Sequence, residues 1–394
     1  MSIGTAGADH VLAEARRWLG PANDPDDLQD FADLTPWTFT RMQDAARTRA
    51  RSNGGLVVAS GGTTGAPKLT VMAPNLGVPR LLPHWRPLGA GDVLLNLFSP
   101  GRMWGAQYFY NALSGYCQST VAPIGSLAPK DVAEWAPTLA GLGVNAIAGA
   151  PNAVARFAEA VSANGVDLDV RTIIWAGEPM TPARSTVIHE AFPEAGLWGN
   201  YGSIETFVIG VNRPGCRTDV FHLLPDQLLE PEDEGALLSR VGEGWPAPAV
   251  RFRLGDRVEP MTCPCADGHA FRVVGRVDDQ FKLCGVMLRA GDILERAVTI
   301  PGVREAQLLL YCDPADPAAV TSLQLHYTEA EREAHGVRSE LVRRTDGLDI
   351  LDLSVPDTVS VKRVAVLERS PRTDKVLPVL WRDALDPPNH GGHS

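Results

Sequence analysis

The 394 residues are 44% hydrophobic and 21% charged and carry a formal net charge of −11; such a chain can bury a large core and is not a disordered one. Its 36 lysines and arginines are scattered along an acidic sequence rather than gathered into a stripe, which excludes the electrostatic footprint of a nucleic-acid-binding protein. The opening MSIGTAGADHVLAEARRWLG has no basic start leading into an apolar run, and no segment approaches the roughly 18 apolar residues of a membrane span, so a cytoplasmic protein without a membrane partner is expected.

In chain order, short apolar runs alternate with helical stretches from about Leu56 to Trp198. GLVVAS, DVLLNLFS, STVAPIG, VNAIAGA and RTIIWAG read as strands; GAQYFYNALSG and PNAVARFAEAVSANG have helical spacing and glycine stops. The alternation predicts an α/β domain with a largely parallel sheet, whose ligand sites lie at the loops beyond the strand C-termini. After Gly275 the rhythm changes. AGDILERAV reads as a helix, VREAQLLLYC and TSLQLHYTE as strands, EREAHGVRSELVRRT as a polar-faced helix and SVKRVAVLE as a last strand. Two domains are expected, a large one over 1–277 and a small α+β one over 278–385, with residues 386–394, rich in Pro, Gly and His, a disordered tail.

The densest chemical signal follows the first of these strands. Ser60-Gly-Gly-Thr-Thr-Gly-Ala-Pro-Lys68 combines Gly61, Gly62 and Gly65, which let backbone approach phosphate oxygens, with the hydroxyls of Ser60, Thr63 and Thr64 and the charge of Lys68. Its spacing is not Gly-x-x-x-x-Gly-Lys-Ser/Thr, so the usual mononucleotide loop does not apply. Glu205, in a Tyr-Gly-Ser turn beyond a strand, suits Mg²⁺ held beside phosphates, because that ion takes few carboxylates plus phosphate oxygens. Asp256, after Arg-Phe-Arg-Leu-Gly, is an acceptor suited to paired ribose hydroxyls; taken alone it equally suits a structural ion pair with a neighbouring arginine.

The loop resembles the phosphate-binding motif of the adenylate-forming superfamily of acyl-CoA synthetases, adenylation domains and luciferases. Three further stretches are similar to that family's motifs and in its order: Asn200-Tyr-Gly-Ser-Ile-Glu205, Arg251-Phe-Arg-Leu-Gly-Asp256 and Gly275-Arg-Val-Asp-Asp-Gln-Phe-Lys-Leu-Cys-Gly285. Ser370-Pro-Arg-Thr-Asp-Lys375 lies where the family keeps its catalytic lysine. The resemblance implies the adenylate-forming fold, α/β with a large N-terminal domain and a small α+β lid, and the reaction of a carboxylic acid with ATP to give an acyl-adenylate and pyrophosphate. It implies ATP contacts from Ser60, Gly61, Gly62, Thr63, Thr64, Gly65 and Lys68. Gly177, Glu178 and Pro179 would wall the purine, and Tyr201, among Asn200, Gly202 and Ser203, would stack on it. Asp256 would bind ribose, and Arg276 the ribose or phosphate side. Thr64, Glu205 as the Mg²⁺ ligand and Lys375 form the implied catalytic set. Carboxylate attack on the α-phosphate brings two anions together, and a lysine bridging them stabilises the charge that develops. Asp278 falls at the implied hinge, with Asp279 as the alternative.

Cys216, His222, Cys263 and Cys265 make the three-thiolate, one-imidazole set of a closed structural zinc site, with His269 an alternative to His222. The Thr-Cys-Pro-Cys run is similar to the phenylacetate-CoA ligase branch, where cysteines occur at this position, and that resemblance favours zinc. For the acid, Trp104, Tyr108 and Phe109 are the available aromatics, with residues 148–151, Ala150 among them, opposite; the same spacing also suits a core. An apolar slot of this kind suits an aryl or arylacetic acid. The branch implies transfer to CoA. An amine, another nitrogen or oxygen nucleophile, or a carrier-protein thiol is the alternative acceptor, and a homodimer is left open. A non-catalytic ATP-binding protein is the remaining reading; the presence of Lys68, Glu205, Asp256 and Lys375 together argues against it.

Overall fold

The computed structural model describes residues 2–19, 31, 34–59, 68–101, 103–265, 268–283, 286–313, 316–328, 333–345, 347–349, 351, 358–370 and 374–383. Ser60, Gly61, Gly62, Thr63, Thr64 and Gly65, and the tail 386–394, lie outside the described residues. The chain divides into two compact units: residues 1–274 with 371–375, and residues 275–370 with 376–394. The division falls at Gly275 rather than after residue 277, and the short segment carrying Lys375 belongs to the large unit.

A nine-stranded sheet organises the large unit. Its strands are β1 (Val93–Asn96), β2 (Thr120–Ala122), β3 (Ala146–Gly149), β4 (Thr172–Ala176), β5 (Gly196–Ser203), β6 (Phe207–Asn212), β7 (Phe221–Leu223), β8 (Asp256–Met261) and β9 (Ala270–Arg276). They lie in the order β8-β9-β7-β6-β5-β4-β3-β1-β2. From β2 to β5 every pairing is parallel, because helices α1 (Gly105–Cys117), α2 (Pro129–Gly141), α3 (Pro151–Ala163) and α4 (Pro182–Ala191) supply the crossovers that parallel neighbours need. From β5 to β7 the connections are too short for crossovers and the pairing turns antiparallel. Alternation along the parallel strands feeds two cores. Leu95, Ile147 and Ile173 enter one, and their neighbours Leu94, Ala146 and Ile174 the other, as expected of strands buried on both faces.

The strand Leu56–Ala59, read from sequence as the first of the parallel set, instead pairs antiparallel with Leu69–Met72 in a two-stranded sheet of its own. The loop 60–68 between them is too short for a crossover helix. Helices α2 and α4, missed from the sequence, each open with proline in the first turn, where its absent N–H is not needed.

The small unit contains β10 (Gln280–Leu283), β11 (Val286–Arg289), α5 (Ala290–Val298), β12 (Glu305–Asp313), β13 (Asp316–Thr328), α6 (Ala334–Arg344), β14 (Val359–Arg363) and β15 (Val379–Asp383). Its sheet runs β11-β10-β13-β12-β15, with β14 also on β13, over a core that includes Ile293, Leu310, Leu325 and Leu341. The expected last strand SVKRVAVLE stops at Arg363; Val366 beyond it is 68% exposed and has no core to face. Among the described residues, no helix is long and apolar enough to cross a membrane.

Candidate functional site

Ala150, the loop of Gly177, Glu178 and Pro179, and Glu205 follow the C-terminal ends of the adjacent parallel strands β3, β4 and β5. Ala176 at the end of β4 pairs with Asn200 on β5, so the loop of Gly177, Glu178 and Pro179 lies beside the start of the Asn200–Glu205 stretch. Gly177 and Pro179 are exposed, whereas the Glu178 side chain is buried against Arg184, with 3.2 Å between Arg184 Nη1 and Glu178 Oε2. The same Nη1 donates to the Pro179 carbonyl at 3.0 Å, which fixes the loop to α4.

Lys375 comes to this loop. Its Nζ donates to the Gly177 carbonyl at 3.1 Å and lies 5.7 Å from the Trp104 ring centroid, within cation–π range. Gly177 has φ +82°, a conformation that favours glycine, and a Cβ there would displace the Lys375 ammonium. Burial lowers the Lys375 pKa from the ordinary lysine value, and the Glu178 carboxylate pulls in the opposite direction.

Tyr201 packs its ring between Phe221 and Phe271, each at 5.6 Å, and its hydroxyl donates to Asp256 Oδ2 at 2.8 Å. The two residues expected to hold adenine and ribose are thus brought together. Asn200 is turned away: it is buried, and its Nδ2 donates to the Tyr110 hydroxyl at 2.7 Å. In the structure its side chain ties β5 to α1. Gly202 allows a close turn, since a Cβ there would meet the Phe207 carbonyl oxygen at 1.8 Å. Ser203 binds Thr206, their hydroxyls 3.0 Å apart across the turn that carries the partly exposed Glu205. Lys68 is exposed, with its Nζ 5.8 Å from the Phe39 ring.

Of the acid-pocket residues, Trp104 is buried at the N-cap of α1 and Ala150 at the N-cap of α3. Tyr108 is 37% exposed, while the next two residues on α1, Phe109 and Tyr110, turn into the core. Phe98 stacks on Tyr110 at 4.7 Å and meets Trp104 edge-on at 5.4 Å, an aromatic cluster buried in the core. Arg276, in the small unit, is exposed at the end of β9, and Asp278 sits in the short 3₁₀ turn Val277–Asp279.

A second cluster lies in the antiparallel part of the sheet. His222, on β7 between β6 and β9, is 3% exposed. Turns on either side bring Cys216 Sγ to 3.6 Å and Cys265 Sγ to 3.3 Å of its Nε2. With Cys263, the four ligand atoms all lie within 4.8 Å of one another, a donor set and spacing that fit a tetrahedral zinc. Burial, reinforced by hydrogen bonding with Cys263 and Cys265, pushes the Cys216 thiol up to about 12. His269 is elsewhere, its Nδ1 accepting from the Gly4 backbone N–H at 3.2 Å.

No family model matches the chain. Among curated proteins it is 25% identical over 167 residues to an indoleacetate–lysine synthetase of Pseudomonas savastanoi, a stretch covering 42% of this chain and 42% of that protein. The match therefore spans less than half the length of that relative. A second stretch of 104 residues is 33% identical to an AMB antimetabolite synthetase of Pseudomonas aeruginosa, covering 26% of this chain and 5% of that protein. Among solved structures, the 2-hydroxyisobutyryl-CoA ligase in its postadenylation state with 2-HIB-AMP superposes with a TM-score of 0.66 at 16% identity, covering 94% of this chain and 86% of that one. The anthranilate CoA ligase bound to anthranoyl-AMP gives 0.60 at 18% identity, over 82% and 65% of the two chains. The amide bond synthetase of Marinactinospora thermotolerans gives 0.59 at 18% identity, over 80% and 66%. At these identities the likeness is one of fold.

Proposed function

Because the chain has the fold of the adenylate-forming ligases and synthetases, we propose that it activates a carboxylic acid with ATP. One oxygen of the acid attacks the α-phosphorus, the bond to the bridging oxygen breaks, and pyrophosphate leaves. The observation that carries the reading is the convergence of Lys375, Gly177 and Trp104 at the ends of the parallel strands. A cation held there lies where carboxylate and phosphate charges would meet. Tyr201 and Asp256 would take the nucleoside, and Gly177 and Pro179 would border the purine, with Glu178 fixing their loop from behind. Glu205 would hold Mg²⁺, which supplies charge neutralisation at the phosphates when bound. Incubation with ATP and a panel of aryl and arylacetic acids should yield AMP and pyrophosphate; ADP and phosphate as the products would reject adenylation.

For the acid, the relative named for indoleacetate and the anthranilate CoA ligase of similar fold support a flat, aromatic substrate. For the acceptor, the curated relative is named for joining indoleacetate to lysine, which supports an amine. CoA is the second reading, supported by the two CoA ligases of similar fold and by the similarity of the Thr-Cys-Pro-Cys run to the phenylacetate-CoA ligase branch. Mass analysis of the product formed with lysine, other amines or CoA separates the two. Cys216, His222, Cys263 and Cys265 would hold a structural zinc that pins the turns around β7. Protein purified without added metal should then contain about one equivalent of zinc, and Cys216→Ser should lose it; a folded, metal-free wild type would overturn the assignment.

A further inference from the structure

Lys375 does not reach Gly177 by its own contacts alone. The residue before it, Asp374, belongs with it to the large unit and has φ +56°, the left-handed region that aspartate enters at some cost. Two hydrogen bonds offset that cost. Asp374 Oδ2 accepts from Arg156 Nη2, on α3, at 2.5 Å and from Ser126 Oγ, just after β2, at 2.9 Å. Arg156 Nη2 also donates to Ser126 Oγ at 3.1 Å, closing a three-membered polar ring. The guanidinium and carboxylate are both partly shielded, with side-chain exposures of 26% and 32%, so their attraction is stronger than that of a fully solvated pair.

We propose that Arg156 and Ser126 are positioning residues that hold Lys375 in the site by clamping Asp374, the residue immediately before it. The clamp fixes the backbone at Asp374 in the left-handed conformation, and that conformation aims the next side chain at the Gly177 carbonyl. The charge that completes the site is therefore set by a contact outside it. Nothing in Arg-Thr-Asp-Lys announces this in sequence, since Ser126 and Arg156 lie far away along the chain. The catalytic consequence rests on the proposed adenylation; the positioning itself does not.

Two readouts separate the two claims. The first is graded acetylation of the intact protein, followed by peptide mass analysis of Lys375 with exposed Lys130 as internal reference. Arg156→Ala and Asp374→Gly should each raise Lys375 labelling about tenfold, the loss expected of one charge-assisted hydrogen bond, while Lys130 is unchanged. Arg156→Lys should restore most of the protection. The Asp374→Gly variant removes the clamp while relieving the backbone, so its labelling is read on a folded protein even if Arg156→Ala folds poorly. The second is ATP–pyrophosphate exchange, in which both variants should lose kcat about tenfold with KM for ATP nearly constant. Lys375 labelling equal to wild type in both variants overturns the positioning. Increased labelling with undiminished exchange kcat overturns the claim that the positioning matters for adenylation. A wild type without exchange rejects the adenylation reading and leaves the labelling result to stand or fall separately.

Discussion

At the scale of single residues, Glu178 sits behind the site and does two things. It neutralises the buried Arg184, and its charge opposes the burial that lowers the Lys375 pKa. In the proposed reaction Lys375 works as an ammonium, so adenylation would be retained below its pKa and lost as pH rises through it. Glu178→Gln removes the opposing charge, lowers that pKa further and should move the alkaline limb of the exchange reaction to lower pH. The same change leaves Arg184 without its carboxylate and should destabilise the protein by roughly 1–3 kcal/mol. Both are measurable, from the pH–rate profile and from denaturant unfolding; an unmoved alkaline limb would mean that Glu178 does not act on Lys375. Sequence placed Glu178 at the site through its motif. It did not show that the side chain points into the protein, because the direction depends on Arg184 of the following helix.

At the scale of elements, the hairpin between β5 and β6 carries Glu205, and its shape is held from outside. Arg240, at the end of strand Leu237–Arg240 in a neighbouring sheet, is 2% exposed. It donates to the carbonyls of Thr206 at 2.7 Å and Val208 at 2.9 Å and to Gln227 Oε1 at 2.9 Å, with its guanidinium 4.6 Å from the Trp245 ring. Burial, with Arg80 and Arg49 nearby, lowers its pKa from the ordinary arginine value. Arg240→Met would leave two buried carbonyls without this donor. It should cost roughly 2–5 kcal/mol, because each buried acceptor left without a donor costs about 1–3 kcal/mol, and, with Glu205 as the proposed Mg²⁺ ligand, raise the Mg²⁺ concentration needed for half-maximal exchange roughly tenfold. A Mg²⁺ dependence identical to wild type, measured well below the variant's Tm, would falsify the link between Arg240 and the Glu205 turn. The same hairpin shows where motif reading stops. Asn200 and Glu205 stand in one motif, yet the two-residue alternation of β5 sends Asn200 to Tyr110 in the core.

At the scale of the whole molecule, the proposed two half-reactions need a place where the backbone turns. Asp279 Oδ2 accepts from the Gly291 N–H at 3.2 Å within the small unit, which supports Asp278 rather than Asp279 as the proposed hinge. Fixing φ with Asp278→Pro should leave ATP–pyrophosphate exchange within about twofold of wild type and slow transfer to the acceptor about tenfold or more. Equal losses in both steps would remove Asp278 as the hinge. The amino-acid sequence by itself showed four of the five strands of the parallel set, β1 to β4, and displayed the phosphate-loop, Glu205, Asp256 and Lys375 motifs, because apolar periodicity and short glycine-rich runs are local properties of the chain. Only the tertiary structure decided that Leu56–Ala59 pairs outside the main sheet, that Asn200 faces inward, and that Arg156, Ser126 and Arg240 support residues distant in sequence. Those contacts are made across elements whose separation along the chain carries no signal, and their partners become neighbours only when the sheet has been assembled.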